Sequence, residues 1–397
     1  MVKTRPASPD SQVRDVLALC ARPSLDEGDE DRLRRCLGGI ADWPALEITA
    51  EAHGLGPLVY SRLESARLDV PTAARRAFHG LYLRHGRQNF LRLRALREIL
   101  VALSEAGVFS LVLKGAALAH LIYARPGLRP MGDLDLLVSW SDLGPAQRTL
   151  ESIGFVSIDL AGDRSPDKHI LLLKDVDGLG VRVELHHRLF PSGLGGPPAR
   201  GLRSGPLIPF TLDGLTAYTL DPDSLIWHLC QHLNFHADVF TRLRLIWIAD
   251  LARLAESFLD RIDWERVGHD FPIVRNVLSL VEAVAPLSER VRVAARLPGG
   301  PYLAGGWADF RGWPRFAIGD RRQQGKSARG ILRDTLLPSP WWLRLHYGLD
   351  RAHPLWWHRW IRHPLAAAGW ASRLAGERVA AALPPRAGAR RVRSRLP

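Results

Sequence analysis

Lysine is scarce in this 397-residue chain: only Lys3, Lys114, Lys168, Lys174 and Lys326 stand among its 54 cationic residues, and the rest are arginines. Cysteine is scarcer still. Cys20, Cys36 and Cys230 are scattered, odd in number and never in CxxC spacing, which excludes a disulfide framework and a cysteine-held structural zinc. No uninterrupted apolar run reaches the roughly 18 residues of a membrane-span candidate. The apolar stretch within MVKTRPASPDSQVRDVLALCARP is too short for a signal peptide. The protein is therefore expected in the cytoplasm, with no integral membrane segment. Acids are the outnumbered charge, 41 against 54, for a net charge of +13. Arginine bias of this kind follows genome composition; read functionally, it fits an acidic partner such as a phosphorylated substrate.

What is present is ordinary globular material, 46% apolar and 24% charged, in a chain long enough for two or three cores. Residues 1–107 read as an N-terminal helical region, with apolar residues at three- and four-residue spacing in PLVYSRLESARL and LRHGRQNFLRLRALREILVALSEAG. At VFSLVLK the period changes to that of a buried strand. A helix from Gly115, the strand DLDLLVSW, the helix SDLGPAQRTLESIG and the strands FVSIDL, HILLLKD and VRVELHHRL follow. Residues 108–206 thus form a small α/β core ending in a Gly/Pro-rich loop at 190–206. A helical region is expected over 207–296, a Gly/Trp/Arg-rich C-terminal region over 297–385 and a basic tail over 386–397. The fold class is α+β: a small mixed sheet with helices, flanked by helical regions on both sides.

Three features of the core carry chemistry. Asp133 and Asp135 lie two apart on a strand, so both point to one face, where they repel unless a proton or cation intervenes. Removing one is then expected to stabilise the metal-free protein. Oxygen ligands so spaced suit one or two Mg²⁺ ions. Glu184 is an acid between valine and leucine on a later strand and would complete a cage. Lys114-Gly115, at a strand–helix junction, would let a phosphate approach the backbone beside a positive charge. No side chain stands out as a general base, so activation of a nucleophile would fall to metal and positioning.

In this order the three features resemble the polymerase-β-type nucleotidyltransferase superfamily. LKGAAL, RPMGDLDLLV and VELHHRL are similar, more narrowly, to a bacterial family of uncharacterised nucleotidyltransferases, often found near lasso-peptide and other peptide natural-product genes. HGLGPLVYSRL, LIWHLCQHLNFH and RLRLIWIADLARL extend that likeness over most of residues 40–270. The resemblance implies metal held by Asp133, Asp135 and Glu184, and NTP contacts from Lys114, Gly115, Arg129 and His186. The implied cofactor is Mg²⁺, one or two ions, with an NTP, ATP first, as substrate. A nucleoside monophosphate would pass to a peptide, protein or small molecule, with pyrophosphate released. Nucleic acid is not the expected acceptor, because no stripe of interleaved aromatic and basic residues accompanies the site. Two departures, Lys-Gly where Gly-Ser is usual and glutamate where aspartate is commoner, favour an alternative: a weakened nucleotide- or peptide-binding module accompanying a partner enzyme.

Outside this core, His228, His232 and His236 recur at i, i+4 and i+8. Adjacent pairs could grip a metal, but all three cannot share one ion across about 12 Å; a phosphate-facing row and packed histidines are the other readings. Asp250, alone in an apolar helix stripe, is expected to pair with Arg242, Arg244 or a histidine. GDRRQQGKS has five residues between its glycines where a P-loop has four, and no strand precedes it. Six of the 13 tryptophans crowd PSPWWLRLHYGLDRAHPLWWHRWIRHPLAAAGW, which fits helical core packing or, alternatively, an interfacial surface.

Overall fold

The change of period near residue 108 is where helix gives way to sheet in the computed structural model. The structure describes residues 11–66, 68–158, 169–190, 206–298, 306–314, 318–323, 325–349 and 353–382. Most of the expected 190–206 loop, the end of FVSIDL and the 386–397 tail lie outside these.

Five helices lead: α1 (Ser11–Ala21), α2 (Glu27–Gly38), α3 (Trp43–His53), α4 (Gly56–Ser65) and the long α5 (Thr72–Glu105). Asp26 and Asp42 cap α2 and α3, each accepting a backbone N–H three residues on. Then come β1 (Ser110–Leu113), α6 (Lys114–Leu121), β2 (Leu134–Val138), α7 (Leu143–Ser152), β3 (Val156–Ile158), β4 (Ile170–Val176) and β5 (Leu179–His186). The five strands form one mixed sheet in the order β1-β2-β5-β4-β3, antiparallel except for the parallel pair β2–β5. That is the α+β class expected from sequence.

The 207–296 stretch is not helical from its start. Strands β6 (Ile208–Leu212) and β7 (Leu215–Thr219) pair as a hairpin. Asp213 and Gly214, both at positive φ, make its two-residue turn. Helices α8 (Pro222–Val239), α9 (Leu245–Ser257), α10 (Trp264–Asp270), α11 (Pro272–Val281) and α12 (Glu289–Ala294) follow. Asp221, one of the two residues expected to cap α8, accepts from Ser224 N–H. Further on lie α13 (Ile318–Gln323), α14 (Ala328–Leu336) and α15 (Pro340–Tyr347). Last come α16 (Leu355–Trp357), a π-helical turn (His358–Arg362) and α17 (His363–Ala382).

The interior falls into two clusters. One joins the N-terminal helices to α8, α9, α11 and α15; the other lies against the sheet beneath α5, α6 and α7. Trp341 and Trp342 are buried core residues, whereas Trp356, Trp357 and Trp360 are exposed, so core packing describes only part of the tryptophan-rich segment. Lys326 pairs with Asp334 in the turn before α14 and cradles no phosphate loop. Among the described residues, no helix is long and apolar enough to cross a membrane.

Candidate active site

The parallel pairing of β2 with β5 builds the site. In its register Asp135 stands directly beside Glu184, and Leu137 beside His186. Asp133, just before β2, joins them through Arg182, whose Nη2 donates to Asp133 Oδ2 at 3.0 Å and to Glu184 Oε1 at 2.8 Å. Alternation along β5 turns His186 inward with Glu184. Its Nε2 lies 3.1 Å from Asp135 Oδ1 and 3.6 Å from Glu184 Oε2. His187 points the other way, its ring edge-on to Trp140. His169, unmarked in the sequence, reaches to 3.9 Å from Glu184 Oε2.

Lys114 lies inside this group. It opens α6 at a left-handed φ of 47°, a conformation unusual for a side chain with a Cβ, and its Nζ donates to Asp135 Oδ1 at 2.6 Å. Burial would lower the lysine, but the Asp135 charge outweighs it, so the ammonium is held protonated. Burial would likewise raise Asp135; Lys114 and the hydrogen bond with His186 hold it well below the carboxylate range instead. Glu184 is also pushed up by burial and brought down further, chiefly by His186. Asp133 is raised, by burial and by its two acidic neighbours. His186 gains from the same contacts: burial lowers it, and its hydrogen bond to Asp135 and the nearby Glu184 carboxylate raise it on balance.

Asp135, Glu184 and His186 offer ligand atoms all within 4.8 Å of one another, the one such metal-competent group among the described residues. Two carboxylates and an imidazole suit Mg²⁺ or Mn²⁺, with the imidazole inclining the set toward Mn²⁺. The donor set fits a divalent cation. It differs from the expected triad in detail: His186 is in the group, and Asp133 stands at its edge.

Arg129 and Gly115, both expected to contact the nucleotide, meet each other at the start of α6. The buried Arg129 guanidinium is committed to Asp250 on α9, with Nη2 at 2.7 Å from Oδ2 and Nε at 3.3 Å from Oδ1. Tyr123 donates to the same carboxylate at 2.7 Å. Asp250 is thus a buried partner, as expected, but of Arg129 rather than Arg242, Arg244 or a histidine. A Cβ on Gly115 would lie 2.4 Å from Arg129 Nη1 and 3.2 Å from Met131 Cβ. The glycine is there so that Arg129 can cross the start of α6.

The α8 histidines run beside the site, close enough for Lys114 and Asp135 to act on all three electrostatically. His228 is buried, and burial pushes it down to about 3. Neither of its ring nitrogens has a hydrogen-bond partner among the described residues. His232 and His236 pack on each other, centroids 4.4 Å apart, and on Trp247. They form a neutral aromatic wall; the metal-competent group includes none of them.

Residues 40–271 match the family model described as "Uncharacterised nucleotidyltransferase". The match spans more than half of the chain, and the chain belongs to that family. Two solved structures are similar over about half of it. One is the solution structure of the antibiotic-resistance factor ANT(2'')-Ia: 14% identity, TM-score 0.33, covering 49% of this chain and 96% of that one. The other is the crystal structure of an antigenic nucleotidyltransferase-like protein from Paracoccidioides brasiliensis: 14% identity, TM-score 0.37, covering 50% and 89%. No curated protein matches the chain.

Proposed function

We propose that the protein is a divalent-metal-dependent nucleotidyltransferase that moves a nucleoside monophosphate from an NTP, ATP first, to a hydroxyl or amine of a peptide, protein or small molecule. The observation that carries this is the β2–β5 register, which sets Asp135 beside Glu184 with His186 and Asp133 at their flanks. Asp135, Glu184 and His186 would hold the cation, with Asp133 and Arg182 at the rim. A bound Mg²⁺ or Mn²⁺ supplies charge stabilisation at the phosphates. In the transfer, the acceptor atom bonds to the α-phosphorus as the bond from that phosphorus to the α–β bridging oxygen breaks. Pyrophosphate departs with the electron pair, and the acceptor gives up its proton to solvent. The chain's own task is to fix the geometry: Arg182 holds Asp133 and Glu184 together, and His186 ties Asp135 to Glu184. The wall of His232 and His236 from α8 and Trp247 from α9 excludes water from one side.

Lys114 favours a second reading, a weakened site that binds without turnover, because its ammonium already satisfies Asp135. Incubation with α-labelled NTPs, Mg²⁺ or Mn²⁺ and cell extract separates the two. Transfer of label to an acceptor with pyrophosphate release, lost in Asp135→Asn and Glu184→Gln, is the expected result. Nucleotide binding without pyrophosphate release would favour the binding module, and full activity in either variant would sink the carboxylate mechanism.

A further inference from the structure

The buried stripe of α5 contains an unanswered charge. Phe78 and Leu81 begin the stripe and Leu96, Ile99 and Leu103 end it, at three- and four-residue spacing. Between them the same spacing falls on three polar residues: His85, Asn89 and Arg92. Two of these have evident occupations. His85 Nε2 lies 2.9 Å from a Glu51 carboxylate oxygen on α3, and Asn89 Nδ2 donates to the carbonyls of Pro126 and Arg129 at 2.9 and 2.8 Å. Arg92 has none. It is 7% exposed, and its Nε and Nη1 are buried with no hydrogen-bond partner among the described residues. A guanidinium is always charged, and burying one unpaired costs several kcal/mol.

Its surroundings say what would answer it. Asp133 is the carboxylate whose charge reaches Arg92. α5 itself packs on β5. A cation kept unpaired at the edge of a site that attracts metal is suited to the anion a metal brings with it. Planar, forked donors match phosphate oxygens in two-point contact.

We infer that Arg92 is a phosphate-binding residue of the site, contacting a terminal phosphate of the bound nucleotide. The assignment rests on the nucleotidyltransferase reading and extends it to a residue of the N-terminal helices. The same chemistry could serve a phosphate on the acceptor, and the arms of the test distinguish the two. Calorimetric titration of the full chain, with Mg²⁺, compares wild type with Arg92→Leu and Arg92→Lys. The probes are ATP, inorganic pyrophosphate, AMP, and orthophosphate added over a saturating non-hydrolysable ATP analogue.

Arg92→Leu is expected to bind ATP and pyrophosphate at least tenfold more weakly, with AMP unchanged and Arg92→Lys intermediate. Without ligand, Arg92→Leu should unfold at a higher temperature than wild type, because it removes an unpaired buried charge; a merely structural arginine would give the opposite shift. Loss confined to orthophosphate would move the contact to the acceptor and overturn the nucleotide assignment. Unchanged affinity for every phosphate, or a lower unfolding temperature in the leucine variant, would overturn the site altogether. A wild type that binds neither ATP nor pyrophosphate would instead defeat the nucleotidyltransferase reading itself.

Discussion

Lys114 concentrates the site's physics in one residue. A left-handed backbone costs a residue with a Cβ about 1–2 kcal/mol, and the buried ion pair with Asp135 holds it there. Removing one member of a buried pair costs about 3–5 kcal/mol, more than relief of the strain returns. Lys114→Met keeps the strain and loses the charge, so the metal-free protein should lose about 3 kcal/mol. Lys114→Gly should lose about 1 kcal/mol less than the methionine variant, and Mg²⁺ should restore more stability to either variant than to wild type. Urea unfolding with and without Mg²⁺ measures all three; equal stability of wild type and Lys114→Met would refute the pairing. The same pair reverses an expectation from sequence for Asp135, though not for Asp133, which its acidic neighbours still raise. Asp133 and Asp135 read as repelling acids, so deleting one should stabilise the metal-free protein. Asp135 is instead already neutralised by Lys114 and His186, and Asp135→Asn would leave an ammonium without its partner. The acids and Lys114 were legible because each is an odd residue in a local pattern, whereas His186 came only from the family resemblance. The pairing of Arg129 with Asp250 was not legible, since that carboxylate is 121 residues away. Arg92 was legible in principle, as a polar residue in an apolar stripe, to anyone asking what each such interruption is for.

Among elements, the strands of the core were readable from their runs of aliphatic residues, and what sequence could not supply was their order. Nothing local to Asp135 or Glu184 says that β2 and β5 run side by side with those two residues in register. The β6–β7 hairpin was missed although Asp213-Gly214 marks a two-residue turn; it lies between a loop and a strongly helical pattern, which drew the boundary past it. The start of α6 offers a test at this scale. Gly115→Ala would suit a helix by propensity, but its Cβ would meet Arg129 Nη1 at 2.4 Å. Arg129 cannot yield without leaving Asp250, so the variant should lose about 3 kcal/mol. Thermal or urea unfolding reads it directly. Wild-type stability in Gly115→Ala would mean that Arg129 has another place to go.

At the scale of the whole molecule, burial of neutral histidines makes stability depend on pH. Burial pushes His53 and His236 down to about 4 and His228 to about 3, against about 6.5 when unfolded. Below pH 6.5 the unfolded chain takes up protons that the folded one refuses, so stability falls with pH. Their contribution is full above 6.5. It is lost progressively toward about 4 for His53 and His236, and toward about 3 for His228. The unfolding temperature should therefore drop by several degrees between pH 7.5 and pH 5. Replacing His228 with Leu should flatten that drop, and an unchanged slope would show that this histidine is not buried neutral. These three residues sit on α3 and α8, so acid is felt across the helical body and not at one point.

The triad of Tyr123, Arg129 and Asp250 has a consequence for how activity is lost on heating. The connection from α6 to β2 is bound from one side by Asp250 on α9 and from the other by Asn89 on α5. Arg253, one helical turn beyond Asp250, in turn donates to the carbonyls of Ala21 and Arg22 at the end of α1. The segment carrying Asp133 therefore has no freedom to melt ahead of its supports. Thermal inactivation should be a single cooperative event. Nucleotide binding, near-ultraviolet dichroism and helix content should decay with one midpoint, and binding that faded several degrees before the helices would show that the triad holds less than its geometry implies.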